Sequence, residues 1–147
     1  MAFGSAPVFA HGTENHAGGW AFGRPGAAKD VMRSVRIEAE EYNFSPAEIT
    51  VRVGETIKFV VVNHGKLKHE LTIGDAAEQQ AHHQSMAEMS DMKHDEGSHE
   101  MPANSVHVAP GETRELIWTF SEAGALIIAC NYPGHSELGM TGSLEVK

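Results

Sequence analysis

The sequence predicts an all-β sandwich built from about seven short strands. Apolar and polar residues alternate in short runs over residues 34–147, which is typical of half-buried strands. Residues that favour turns, mostly Gly and Pro, separate these runs. A chain of 147 residues suits a single domain of this kind. We therefore expect one β domain over residues 34–147.

The strands of the first half follow the alternation expected for a sheet with one buried face. They are predicted at residues 34–40, 49–53, 56–63 and 69–73. Pro46 interrupts the pattern, because proline has no N–H for a strand ladder. The third run is almost continuously apolar and β-branched, which predicts a central strand.

The second half returns to β alternation after a different kind of segment. Strands are predicted at residues 106–108, 115–120, 125–130 and 142–147. Before them, residues 75–104 contain mainly His, Met, Gln, Glu and Asp. We interpret this segment as an insertion, helical over 76–92 and irregular towards Pro102.

The first 33 residues are rich in Gly, Ala and His and show no period, so a flexible N-terminal arm is predicted. Residues 6–10 resemble the end of a secretory signal, with the small residues Val8 and Ala10 flanking Phe9. The basic start and long apolar run of such a signal are missing, so it would be truncated here. An Ala-rich leader is the alternative. The signal interpretation predicts a bacterial periplasmic protein.

Charge and hydropathy exclude two classes of partner. The formal net charge is −9, whereas nucleic-acid binding needs a basic surface. The longest apolar stretches, 59–62 and 123–130, are too short for a transmembrane helix. We expect the protein to bind no nucleic acid, not to insert into a membrane and to be a monomer.

A soft-donor motif lies near the C-terminus. The chain has one Cys, ten His and seven Met, so no internal disulfide forms, and the Cys is a buried spectator, a nucleophile or a metal ligand. Cys130, His135 and Met140 follow one another with four residues between each pair, after an apolar strand. Thiolate, imidazole and thioether in one short loop match a copper site of two His, one Cys and an axial Met.

The second His of such a site must come from elsewhere in the sandwich. His69 is the favoured candidate, because it lies where a loop enters a short strand and its side chain can reach a neighbouring loop. His64, in the same loop, and His107, in a later strand and expected to face solvent, are the alternatives.

These residues resemble the cupredoxins, a family that includes plastocyanin and azurin. The resemblance covers residues 34–147 apart from 75–104, and it includes residues 42–46, 49–51 and 54–57 besides the Cys-His-Met loop. It implies a Greek-key β-sandwich of about seven to eight strands. It also implies a mononuclear type 1 copper, blue or green, that cycles between Cu(II) and Cu(I). The implied ligands are His69, Cys130, His135 and Met140.

One position departs from the family pattern. Family members often have Asn or Ser after the first His ligand, whereas Glu70 stands here. Groups next to ligands tune a metal site, so the reduction potential and the colour do not follow from the resemblance.

The insertion carries further soft donors. The ligands of a second copper site would be drawn from His82, His83, Met86, Met89, Met92, His94, His99 and Met101. Thioethers select Cu(I) and imidazoles accept either oxidation state, which favours copper binding. The alternative is a helix whose methionine stripe packs on the sandwich.

The favoured function is copper tolerance, in which a periplasmic cupredoxin binds copper and exchanges it, or an electron, with a protein partner. A diffusible electron-transfer protein is the alternative. We do not expect an enzyme, because enzymatic copper sites need an open coordination position or a second centre. Cuprous oxidase activity is a minor variant of the first hypothesis.

Overall fold

A computed structural model describes residues 20–91 and 101–147 of the chain. The described residues form ten strands, one α-helix and a 3-10 turn at Ala28–Asp30. The strands are β1 Gly23–Pro25, β2 Arg33–Glu40, β3 Asn43–Ser45, β4 Glu48–Val51, β5 Thr56–Asn63, β6 His69–Gly74, β7 Ser105–Val108, β8 Thr113–Phe120, β9 Gly124–Ala129 and β10 Thr141–Val146. The helix, α1, spans Ala76–Asp91. The predicted all-β sandwich is confirmed.

The strands make two five-stranded mixed sheets. One has the order β1-β8-β5-β2-β3 and the other β4-β10-β9-β6-β7. The pairs β2–β5 and β4–β10 are parallel, and the other strand pairs are antiparallel. β5 is central in its sheet, as its continuous apolar sequence predicted.

The core lies between the two sheets. Its largest fully buried apolar side chains are Trp118, Phe59, Phe120, Ile37, Ile57, Leu71, Ile73, Ile128, Met140 and Leu144. In β8 the alternating apolar residues Leu116, Trp118 and Phe120 are all buried. Burying one such side chain stabilises a fold by roughly 1.5–3 kcal/mol, so this core is the main source of the sandwich's stability.

Residues 20–33 differ from the predicted flexible arm. β1 pairs with β8, Phe22 is buried, and the ring of Trp20 lies 5.3 Å from that of Trp118. Two large aromatic side chains bury enough area to hold a Gly-rich segment that has no detectable period. The signal-like residues 6–10 lie outside the described residues.

The insertion is attached to the sandwich through α1. Asp75 caps the helix by accepting the N–H of Glu78 at 2.8 Å. The Gln79 amide donates to the carbonyls of Thr72 and Ile127, both at 2.8 Å. α1 therefore lies on β6, which begins with the predicted ligand His69, and on β9, which leads to the predicted ligand Cys130. Among residues 20–91 and 101–147, no helix is both long and apolar enough to cross a membrane.

Candidate metal centre

The loop that follows β9 closes on itself through its backbone. The N–H of Cys130 donates to the carbonyl of Met140, and the N–H of Met140 donates to the carbonyl of His135, both at 3.1 Å. Gly134 and Gly139 have φ of +89° and +100°, a left-handed conformation that glycine adopts without strain. The Cys-His-Met motif thus forms a compact loop whose backbone is hydrogen-bonded across its width.

Three side-chain donors converge at this end of the sandwich. One donor atom each from His69, Cys130 and His135 all lie within 4.8 Å of one another. Nδ1 of His135 is 3.3 Å from Nδ1 of His69 and 3.4 Å from Sγ of Cys130. His69 and Cys130 are fully buried, and His135 is half-buried. Over residues 20–91 and 101–147, no other group of His, Cys, Asp and Glu comes together in this way.

Met140, the fourth predicted ligand, lies at the end of the same loop. Its side chain is fully buried, and its backbone is hydrogen-bonded to the backbone of Cys130 and of His135, as described above. Met140 is thus held within the loop that carries two of the three clustered donors.

The strand register explains why His69 is the second imidazole. It is the first residue of β6, which pairs with β7 on one side and with β9, the strand leading to Cys130, on the other. His64 instead lies on the surface, 3.6 Å from Glu38. His107 was expected to face solvent, but it is half-buried and its Nε2 lies 3.1 Å from Glu70. Neither alternative joins the cluster.

The electrostatics of the cluster fit a thiophilic cation. Burial raises the pKa of the Cys130 thiol to about 12. Burial also lowers the pKa of both His69 and His135, so their imidazoles are neutral at pH 7. Neutral imidazoles are the ligating form, and a bound cation would replace the thiol proton. Two imidazole nitrogens and one sulfur form a donor set that suits copper in either oxidation state.

Glu41 and Tyr42 lie beside the two imidazoles. A carboxylate oxygen of Glu41 lies 3.8 Å from Nε2 of His69, and the same oxygen accepts the N–H of Lys66 and of Leu67. The ring of Tyr42 packs edge-on against His135, with centroids 5.2 Å apart. Tyr42 has φ +73°, which is uncommon for a non-glycine residue and points to a constrained position. Neither Glu41 nor Tyr42 belongs to the donor set that the sequence predicts.

Glu70 is the centre of a buried polar network beside Cys130. Its backbone N–H donates to Sγ of Cys130 at 3.4 Å, and its carboxylate accepts the N–H of Asn131 at 2.9 Å. Nε2 of His82 and of His107 lie 3.0 and 3.1 Å from the two carboxylate oxygens. Burial alone would raise the pKa of Glu70, but hydrogen bonds from His107 and His82 hold it at about 2.

The donors predicted in the insertion do not converge within the described residues. His82 contacts Glu70, and His83 lies 2.9 Å from the carboxylate of Glu137. Met86 is buried, and Met89 is 37% exposed. Met101 is half-buried, whereas Met92, His94 and His99 lie outside the described residues.

Comparisons with known proteins agree with this geometry. The family model described as copper binding proteins of the plastocyanin/azurin family matches residues 31–147. A protein of Rubrivivax gelatinosus named copper-resistant cuproprotein CopI is 41% identical over 145 residues, which cover 98% of this chain and 82% of that protein. A Pseudomonas aeruginosa protein of the same name is 39% identical and aligns with 89% of this chain and 85% of its own length.

A solved structure shares the fold at lower identity. Dithionite-reduced auracyanin from Roseiflexus castenholzii superposes with a TM-score of 0.63 at 21% identity. The match covers 80% of this chain and 98% of that protein. The match extends over nearly all of the auracyanin, so the two proteins share a whole sandwich.

Proposed function

This chain belongs to the plastocyanin/azurin family of copper-binding proteins, and we propose that it binds one copper ion through His69, Cys130, His135 and Met140. The cluster of two imidazole nitrogens and one thiol is the observation that carries this proposal. The bound metal supplies a one-electron Cu(II)/Cu(I) couple. The protein side chains supply soft donors, a dry surrounding and fixed positions.

The function that this site supports best is copper tolerance. The two relatives described above carry the name copper-resistant cuproprotein, and each is aligned over more than four-fifths of its own length. The side chains of His69, Cys130 and Met140 are fully buried, so copper held by them would be largely withdrawn from solvent. Such a shielded site suits a protein that sequesters copper.

The remaining parts of the proposal concern location, assembly and partners. We propose a bacterial periplasmic protein that works as a monomer and exchanges copper or an electron with another protein. The relatives are bacterial, and their copper-resistance name fits a compartment exposed to external copper. We further propose a binding protein without enzymatic turnover, because four protein ligands leave no obvious open coordination position.

Electron transfer is the second candidate, and one surface feature favours it. His135 is half-buried, and Leu138, three residues later in the same loop, is 63% exposed. An exposed apolar residue beside a ligand could contact a redox partner. The same surface would also suit copper exchange, so the surface alone does not distinguish the two functions. A growth experiment is needed to distinguish them.

A second copper site in the insertion remains a prediction. His82, His83 and Met86 are engaged in other contacts or buried. Such a site would therefore depend on Met89, on Met101 and on donors outside the described residues.

Growth of a copper-sensitive bacterium tests the proposed function. Cells that express this chain in the periplasm should tolerate more copper than cells with an empty vector, and Cys130→Ser should remove that protection. Glu145→Gln, an exposed change on β10, serves as the control and should protect fully. Equal protection by Cys130→Ser would contradict the proposal. Absence of protection by a chain that still binds coloured copper would favour electron transfer.

A further inference from the structure

We propose that Glu70 is a positioning residue whose buried negative charge stabilises oxidised copper at the Cys130 site. The proposal rests on the copper site proposed above. It assigns a role to the position at which the chain departs from the family pattern. It also gives a role to His82, which belongs to the insertion.

The first step is the placement of the carboxylate. Glu70 follows His69 in β6, and its backbone N–H donates to Sγ of Cys130 at 3.4 Å. One carboxylate oxygen accepts the N–H of Asn131, the residue after Cys130, at 2.9 Å. Glu70 is thus hydrogen-bonded through its backbone N–H to the thiol of Cys130 and through its carboxylate to the backbone N–H of Asn131. Any charge on this side chain lies close to the donor atoms.

The second step is the charge itself. The Glu70 side chain is fully buried and lies within hydrogen-bond distance of Nε2 of His82 and Nε2 of His107. A neutral imidazole carries one N–H, which is enough for each of these bonds. The hydroxyl of Tyr132 is 3.1 Å from Nδ1 of His107 and can donate to it. The carboxylate is thus placed to accept an N–H from each histidine as well as from the backbone of Asn131.

The donors around the carboxylate favour its ionised form, because an ionised carboxylate only accepts hydrogen bonds. Glu41, the other carboxylate beside the cluster, keeps 33% of its side chain exposed, so solvent screens its charge. Glu70 is therefore the less screened of the two anions next to the donors.

The third step links the charge to the oxidation state. Reduction of Cu(II) to Cu(I) removes one positive charge from the site. A fixed anion in a region of low dielectric favours the more positive state, because opposite charges attract more strongly there than in water. Glu70 should therefore lower the reduction potential. His82 from α1 and His107 from β7 hold this charge from outside the ligand loop.

Redox titration of copper-loaded variants tests this role. Glu70→Gln removes the charge and keeps the shape, Glu70→Asp keeps the charge, and Glu145→Gln removes an exposed charge on β10 as a matched control. Glu145 lies five residues along the chain from Met140, about 16 Å in an extended strand. Each protein is reduced stepwise with dithionite and dye mediators, each copper accepting one electron, and the thiolate absorption is followed.

Glu70→Gln should shift the Cu(II)/Cu(I) equilibrium at least tenfold towards Cu(I). That shift is a rise of about 59 mV for a one-electron couple. Glu70→Asp should stay closer to the unchanged protein than Glu70→Gln does, and Glu145→Gln should not differ from it. A potential in Glu70→Gln that is unchanged or lower overturns the proposal. Absence of thiolate absorption in the unchanged protein would instead overturn the copper site.

A measurement on the unchanged protein covers the case in which Glu70→Gln does not fold. Infrared difference spectra between the Cu(II) and Cu(I) forms, with labelled Glu, report the state of the nearby carboxyl groups. A shift of an ionised carboxylate band on reduction is expected. A signal only from a protonated carboxyl carbonyl would overturn the proposal.

Discussion

The backbone N–H of Glu70 donates a hydrogen bond to Sγ of Cys130 across 3.4 Å, between residues 60 positions apart in the chain. The neighbouring β6–β9 pairing, in which Thr72 lies opposite Ala129, fixes this distance. The sheet thus sets the position of His69 relative to the thiol before any metal binds. Such preorganisation lowers the ordering cost of binding.

Met140→Leu tests the role proposed for the thioether. Leu and Met have similar volumes, so the buried position should tolerate the change at a stability cost below about 1.5 kcal/mol. Copper should still bind, and the reduction potential should rise because a donor to Cu(II) is lost. Redox titration measures the shift, with Met86→Leu in α1 as the control. An unchanged potential in Met140→Leu would show that its sulfur is not a ligand.

Copper binding should release about one proton per ion between pH 7 and 9. The thiol, with a pKa of about 12, is protonated in the metal-free protein over this range and must lose its proton to bind. The lowered pKa of His69 and of His135 means that both imidazoles are already neutral. Apparent copper affinity should therefore rise about tenfold per pH unit.

Proton release can be read with a pH indicator in weakly buffered solution while copper is added. Cys130→Ser provides the comparison, because it lacks the thiol proton and should release fewer protons per copper. Release of the same number from both proteins would mean that the thiol does not bind the metal.

Gln79→Ala should weaken the attachment of α1 to the sandwich. The change leaves the carbonyls of Thr72 and Ile127 and the side-chain amide of Asn131 without their present partner. Losing buried hydrogen bonds of this kind should lower the free energy of unfolding by about 2–4 kcal/mol. Urea denaturation of the metal-free protein measures it. Gln80→Ala, exposed on the same helix, should change it by less than about 0.5 kcal/mol, and equal losses would refute the anchoring role of Gln79.

Much of this fold is readable from local patterns. The strand at residues 115–120 was predicted from alternation, and its alternating residues Leu116, Trp118 and Phe120 are buried because a strand repeats every two residues. The Cys-His-Met spacing predicted which residues share a loop. These features depend on near neighbours in the chain, so the sequence displays them directly.

The network around Glu70 depends on tertiary register, so the sequence alone does not show it. Glu70 lies opposite His107 only because β6 and β7 pair in one register, and His82 reaches it only because α1 packs over β6. The contact between Trp20 and Trp118 likewise depends on the tertiary structure. No period in the sequence reports contacts between residues so distant in the chain.

Copper titration of the metal-free protein, followed by visible absorption and electron paramagnetic resonance, tests the central claim most directly. The unchanged protein should gain an intense thiolate-to-copper absorption that saturates at one copper, and Cys130→Ser should lack it. Any further copper should bind without this absorption. The same absorption in Cys130→Ser, or none in the unchanged protein, would contradict the copper site of His69, Cys130, His135 and Met140.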